Sequence, residues 1–137
     1  MGMKIEKDSV DLGIVCEDGP AMLAFYRDVL GLEHIADTQL PKPFAGTMHR
    51  LMCGTSLIKL VVPEKSPGNP PAPGGLGGGT GYRYWTITIG NLDEVVADAE
   101  GGGHKVAVPR TNVRPGVDIA MLVDPDGNWV ELLETSE

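Results

Sequence analysis

The chain has 137 residues, 19 acidic against 11 basic side chains for a net charge of −8, and two cysteines. That length suits one domain that buries most of its apolar surface without cross-links, and the acidic balance opposes a phosphate backbone and excludes nucleic acid as the expected partner. Cys16 and Cys53 lie in apolar runs rather than in a CxxC, no window reaches transmembrane length, and MGMKIEKDSVDLG lacks an apolar signal region. Free thiols, a cytoplasmic location and no membrane partner are therefore expected.

In chain order, SVDLGIVC over residues 9–16 alternates, with Leu12, Ile14 and Cys16 on one face and Asp11, Gly13 and Val15 on the other. This predicts a strand. Asp18-Gly19-Pro20 offers a helix cap with proline in the first turn, and Met22, Phe25, Tyr26, Val29 and Leu30 recur at helical spacing up to Gly31. Residues 32–37 predict a strand, LPKPFAG a loop, and TMHRLM and SLIKLVV two strands joined by the turn Cys53-Gly54-Thr55-Ser56.

Residues 63–81, PEKSPGNPPAPGGLGGGTG, carry too much proline and glycine for a regular element. They are expected to be slack chain between modules, with a lid over a ligand as the alternative. Beyond them the order repeats: strand YRYWTITI, helix LDEVVADAE ended by Gly101-Gly102-Gly103, strand HKVAV, then DIAMLV and NWVELLE joined by Asp124-Pro125-Asp126-Gly127.

The expected organisation is one α+β domain over 1–137, with module one at 8–62, the linker at 63–81 and module two at 82–135, each module running strand, helix, three strands. Register supports the duplication. Asp11 and Tyr84 each stand seven residues before the mouth of a helix and are 73 residues apart, while LIKLV over WVELL aligns Lys59 with Glu131 at an offset of 72.

Alternation also assigns faces. Trp85, Ile87 and Ile89 should cover the helix while Tyr84, Thr86 and Thr88 point away, and Ile58, Leu60, Val130 and Leu132 should pack inward with Lys59 and Glu131 opposed. Across the first hairpin Arg50 should pair with Lys59 and Met52 with Leu57. Two adjacent cations need an anion, either Asp11 or Glu131 or a ligand's carboxylate or phosphate.

The unit order, AMLAFYRDVLGLE (21–33) and MLVDPDGNWVELLE (121–134) together resemble the vicinal oxygen chelate superfamily, which includes glyoxalase I, bleomycin-resistance proteins and extradiol dioxygenases. The resemblance implies tandem βαβββ modules, curved mixed sheets round a shared cup, and a homodimer. It also implies four metal-ligand positions, which fall here on Asp11, Lys59, Tyr84 and Glu131. Only Glu131 has the usual ligand chemistry, and Lys59 as an ammonium repels a cation, so no metal or other cofactor is expected. His34 and His104 read as strand-start edge residues and His49 has the parity opposite to Lys59, so none is expected as a ligand.

The expected function is a metal-independent enzyme that abstracts a proton next to a carbonyl, of isomerase, epimerase or lyase type. Glu131, Lys59 and Tyr84 are the expected catalytic residues, with Asp11, Arg50, Met52, Leu57, Thr86 and Trp129 contacting a small-molecule substrate. The alternatives are drug or metabolite sequestration without chemistry, with Trp129 stacking on the ligand or else packed beneath a loop, and a divergent metalloenzyme built on Asp11 and Glu131.

Overall fold

In the computed structural model, which describes residues 2–136, the alternating runs become strands. The first half holds β1 (Leu12–Val15), α1 (Gly19–Leu23), β2 (Glu33–Leu40), β3 (Gly46–Cys53) and β4 (Ser56–Pro63). Asp18 caps α1 by accepting a hydrogen bond from the Ala21 amide at 3.0 Å, and Pro20 occupies the first turn, where no amide donor is needed. α1 runs directly into a π-helical stretch, Ala24–Val29, that ends at Gly31 with φ +81°. Phe25 and Tyr26 both face the core from this stretch.

The second half holds β5 (Tyr84–Thr88), α2 (Leu92–Gly101), β6 (Lys105–Arg114), β7 (Val117–Val123) and β8 (Trp129–Thr135). Asp93 and Glu94 sit in the first turn of α2, where the helix dipole favours negative charge. The two halves make sheets of the same design, ordered β1-β4-β3-β2 and β5-β8-β7-β6, with the first and last strand of each half paired in parallel. The α+β class and the duplicated sheet architecture follow the alternation read from the sequence.

Three local features differ from the sequence reading. β1 starts at Leu12, so Asp11 stands just outside it. β6 continues past Pro109 to Arg114 with several register shifts, which an edge strand tolerates because its outer amides have no partner to lose. The linker is docked rather than slack: Gly75–Gly77 forms a 3-10 turn, and Arg83 donates to the Gly75 and Ala72 carbonyls at 2.7 and 2.6 Å. Ser66 also donates to Glu17 at 2.5 Å, tying the linker to the exit of β1.

A single hydrophobic cluster spans both halves, joining Met22, Phe25, Leu51 and Leu60 to Leu92, Leu122, Val130 and Leu132. Tyr26 crosses into the second half, its hydroxyl donating to Asp124 Oδ2 at 2.7 Å. Asp124 is the one buried charged side chain among the described residues, at 3% exposure. It also accepts from the Asp126 and Asn128 amides, both at 2.9 Å, and from the Asn128 side chain. Burial and the Asp124 charge hold the Tyr26 phenol protonated, far above its ordinary range. No helix among the described residues is long and apolar enough to cross a membrane.

Removing the Tyr26 hydroxyl deprives this buried carboxylate of a donor, so Tyr26→Phe should lower the unfolding free energy by about 1.5–3 kcal/mol in chemical denaturation. A pH dependence follows from Asp124 itself, whose pKa is raised because burial outweighs the pull of Tyr26, Asn128 and Asp126. A raised carboxyl binds more protons folded than unfolded, so its contribution is present at low pH and is lost as pH rises through the folded pKa. Wild-type stability relative to Asp124→Asn should therefore increase as pH falls through the carboxyl range, and urea midpoints at neutral and mildly acidic pH measure that difference.

Candidate functional site

The faces turned away from the helices carry the polar residues that alternation assigns to them. Gly13 lies opposite Lys59 in the β1/β4 pair, and Thr86 lies opposite Glu131 in the β5/β8 pair. The two modules are thus in the register that the 73- and 72-residue offsets require. Asp11 reaches Lys59 with Oδ2 at 3.6 Å from Nζ and is bonded to Lys7 at 2.7 Å. The Lys7 hydrogen bond is the main reason that the Asp11 carboxyl lies below its usual range, with both ammonium charges adding to it. Thr86 Oγ1 donates to Glu131 Oε1 at 2.7 Å.

Arg50 stands directly across from Lys59 and Met52 across from Leu57. The Arg50 guanidinium has no carboxylate within ion-pair distance among the described residues, and its only hydrogen-bond contact there is the Met48 sulfur at 3.9 Å. Tyr84 lies beside Trp129 and is 44% exposed. Asp11 is therefore brought to Lys59 and Thr86 to Glu131, while no hydrogen bond or ion pair among the described residues joins the two pairs or engages the Tyr84 hydroxyl.

Of these residues Tyr84 and Trp129 line a cavity, and a second cavity lies further along the face that carries Lys59. Leu12, Ile14, Tyr82, Tyr84, Trp85 and Trp129 contribute to a cleft of about 340 Å³ where β1 of one half approaches β5 of the other. A groove of about 640 Å³ extends the Lys59 face outward over Val15, Val61, Phe44 and Pro67, and none of its lining residues is among the site residues expected from the sequence. Its signal was present in the parity of Val15 and Val61, but Phe44 and Pro67 come from irregular segments that periodicity does not place. Cys16, next to Val15 in sequence, turns into the core, and burial, with Asp126, Asp124 and Asp18 nearby, pushes its thiol up to about 12 and keeps it un-ionised. Both cysteines are free.

A second polar cluster lies on the opposite, helix-side face of the first sheet. His34, Asp37 and His49 meet there, with the Asp37 carboxylate bonded to both imidazoles. His34 stands at the start of the edge strand β2, as read from the sequence, and a bulge gives it partners there: His34 pairs with Leu51 and Ala36 with Arg50, so one extra residue stands between them. That residue brings His34 and Asp37, three apart and nominally on opposite faces, to the same side as His49.

Gly75 lies against the Trp129 indole at φ +55°, and a Cβ there would run into the ring. Trp129 is thus partly covered by the linker, the packed-under-a-loop alternative of the sequence reading, while it still borders the cleft. Gly75→Ala should undock residues 63–81, and limited proteolysis should cut the linker several-fold faster than in the wild type while the sheets keep their far-ultraviolet signal.

The family model described as "Glyoxalase/Bleomycin resistance protein/Dioxygenase superfamily" matches residues 9–132. No curated protein matches the chain. Among solved structures, a glyoxalase family protein from Bacillus cereus aligns over all of both chains with a TM-score of 0.83 at 15% identity. A lactoylglutathione lyase from Agrobacterium tumefaciens is 26% identical over 96% of each chain, with a TM-score of 0.65. The trypanothione-dependent glyoxalase I of Leishmania major shares 19% identity over 94% of this chain and 87% of its own, with a TM-score of 0.67.

Proposed function

The chain belongs to the glyoxalase/bleomycin resistance protein/dioxygenase superfamily, and from that premise we propose that it is a metal-independent enzyme that abstracts a proton next to the carbonyl of a small substrate. The observation that carries this reading is that Lys59 and Glu131, at corresponding positions of the two modules, each make a polar contact on the open face of their sheet, Lys59 with Asp11 and Glu131 with Thr86. Likeness to a lactoylglutathione lyase supports an isomerase or lyase reaction in this class.

The positions that hold a metal in metal-dependent relatives carry a donor set unsuited to one. Lys59 places an ammonium among them, and Asp11 is already engaged by Lys7 and Lys59. These residues do not fit a divalent ion, and the chemistry is assigned to the side chains themselves.

In this mechanism Thr86 fixes Glu131 through Oε1, and Oε2, which accepts no hydrogen bond among the described residues, takes the proton from carbon. The electron pair moves onto the carbonyl oxygen, and Lys59 with the unpaired Arg50 stabilises the resulting enolate charge. Tyr84 returns a proton to complete an isomerisation or to assist a leaving group. Met52 and Leu57 form the apolar floor beside these charges, and the groove over Val15 and Val61 receives the remainder of the substrate. A second copy of the chain closing the open faces belongs to the same reading.

A second reading, sequestration without chemistry, draws on the aromatic cleft where Tyr82, Tyr84, Trp85 and Trp129 meet. Such rings stack on planar or cationic ligands. The two readings separate cleanly in experiment. A thermal-shift screen of small carbonyl compounds and planar cations identifies ligands, and turnover is then followed by loss of the substrate's α-hydrogen to deuterated solvent. Catalysis predicts that Glu131→Gln and Lys59→Met lower the exchange rate by about 10²–10⁴-fold, and unchanged rates would refute the assigned roles. Tight binding without any exchange would establish sequestration instead.

A further inference from the structure

The cluster at the edge of the helix-side face of the first sheet has the chemistry of a metal site that the cup lacks. His34 Nε2 lies 2.6 Å and His49 Nδ1 2.7 Å from the same atom, Asp37 Oδ1. All three potential ligand atoms fall within 4.8 Å of one another. The imidazole planes stand at 89° with centroids 5.5 Å apart, edge-on instead of stacked, while a nitrogen of each ring reaches the same carboxylate oxygen. We propose that His34, Asp37 and His49 bind a divalent transition-metal ion.

Two imidazoles and one carboxylate suit Zn²⁺, Ni²⁺ or Fe²⁺ better than Mg²⁺ or Ca²⁺, which prefer all-oxygen surroundings. Three protein ligands leave one or more positions for water. Exposure matches that division: the His34 and His49 side chains are 21% and 15% exposed, whereas Asp37 is 48% exposed. The rings are held by the fold, and solvent reaches the site from the carboxylate side.

A tetrahedral ion with bonds of about 2.0–2.1 Å sets its ligand atoms roughly 3.3 Å apart, wider than the present N···O separations. Asp37 therefore has to withdraw by several tenths of an ångström, and it is the ligand free to do so. Without an ion, both ring nitrogens donate to Oδ1. Binding requires their lone pairs, so each imidazole would coordinate as the tautomer that carries its N–H on the other nitrogen. The two hydrogen bonds, His49's first, hold the Asp37 carboxyl below its ordinary range, so it is an anion over most of the pH scale.

The backbone gives the arrangement its purpose. β2 is the outer strand of the first sheet, and the proposed ion would bridge it to β3 across the bulge that interrupts their pairing. It would thus reinforce the sheet edge where the ladder is weakest. Nothing in this inference depends on the chemistry assigned to the cup, because the ligands lie on the other face.

The test is titration of chelator-treated full-length protein with Co²⁺, read by visible absorption and calorimetry, followed by competition with Zn²⁺. One ion per chain, with ligand-field bands that Zn²⁺ abolishes and a rise in Tm on loading, is expected. Asp37→Asn, His34→Gln and His49→Gln should each weaken binding tenfold or more, and Glu131→Gln should leave it unchanged. Asp37→Asn alters a half-exposed side chain and keeps the test decisive should a histidine variant fail to fold. Absence of binding, or binding that survives Asp37→Asn but is lost in Glu131→Gln, would overturn the proposal.

Discussion

The buried carboxylate of Asp124 is the constraint on which the joining of the two halves depends. An ionised group removed from water needs donors on every side. The turn from Asp124 to Asn128 supplies most of them locally, which shapes the entry to β8. The remaining donor is Tyr26, from the π-helical stretch of the other half. That wider helical turn presents Phe25 and Tyr26 together to the core, where Phe25 meets His104 edge-on at 5.0 Å. The first helix is thereby pinned against the second sheet, and β1 and β5 are left to form the two sides of the aromatic cleft.

This joint accompanies a core that the two halves share. Each four-stranded sheet has one apolar face, and a single thin helix covers it incompletely. Pooling the two apolar faces round α1, its π-helical extension and α2 produces one shared cluster. The opposite faces are then free to carry Asp11, Lys59, Thr86 and Glu131. Polar residues at mid-strand are tolerable there because they face the open side of each sheet instead of the core.

What the sequence made legible was everything governed by period. Alternation placed Lys59 and Glu131 opposite the buried Ile58, Leu60, Val130 and Leu132, and two offsets taken from distant parts of the chain agreed with the observed pairings. What escaped was everything that breaks period. The π-helical stretch, the continuation of β6 through Pro109 and the docking of Gly75 on Trp129 all depend on tertiary contacts that local spacing does not encode. For Arg50, spacing found the neighbour, Lys59, but not the fact that Asp11 serves only one of the two cations.

The most consequential break is the bulge between His34 and Ala36. In a regular strand His34 and Asp37 would lie on opposite faces, and one of them would join Arg50 and Lys59 on the cup side. One extra residue sends both to the far side, beside His49. The first sheet thus sorts its charges: ammonium and guanidinium groups on the cup face, imidazoles with a carboxylate on the helix face. Arg50 and Lys59 lie side by side on one face, and the two imidazoles share one carboxylate on the other. A single inserted residue thus decides which charged groups share a surface, and periodicity alone does not show where it lies.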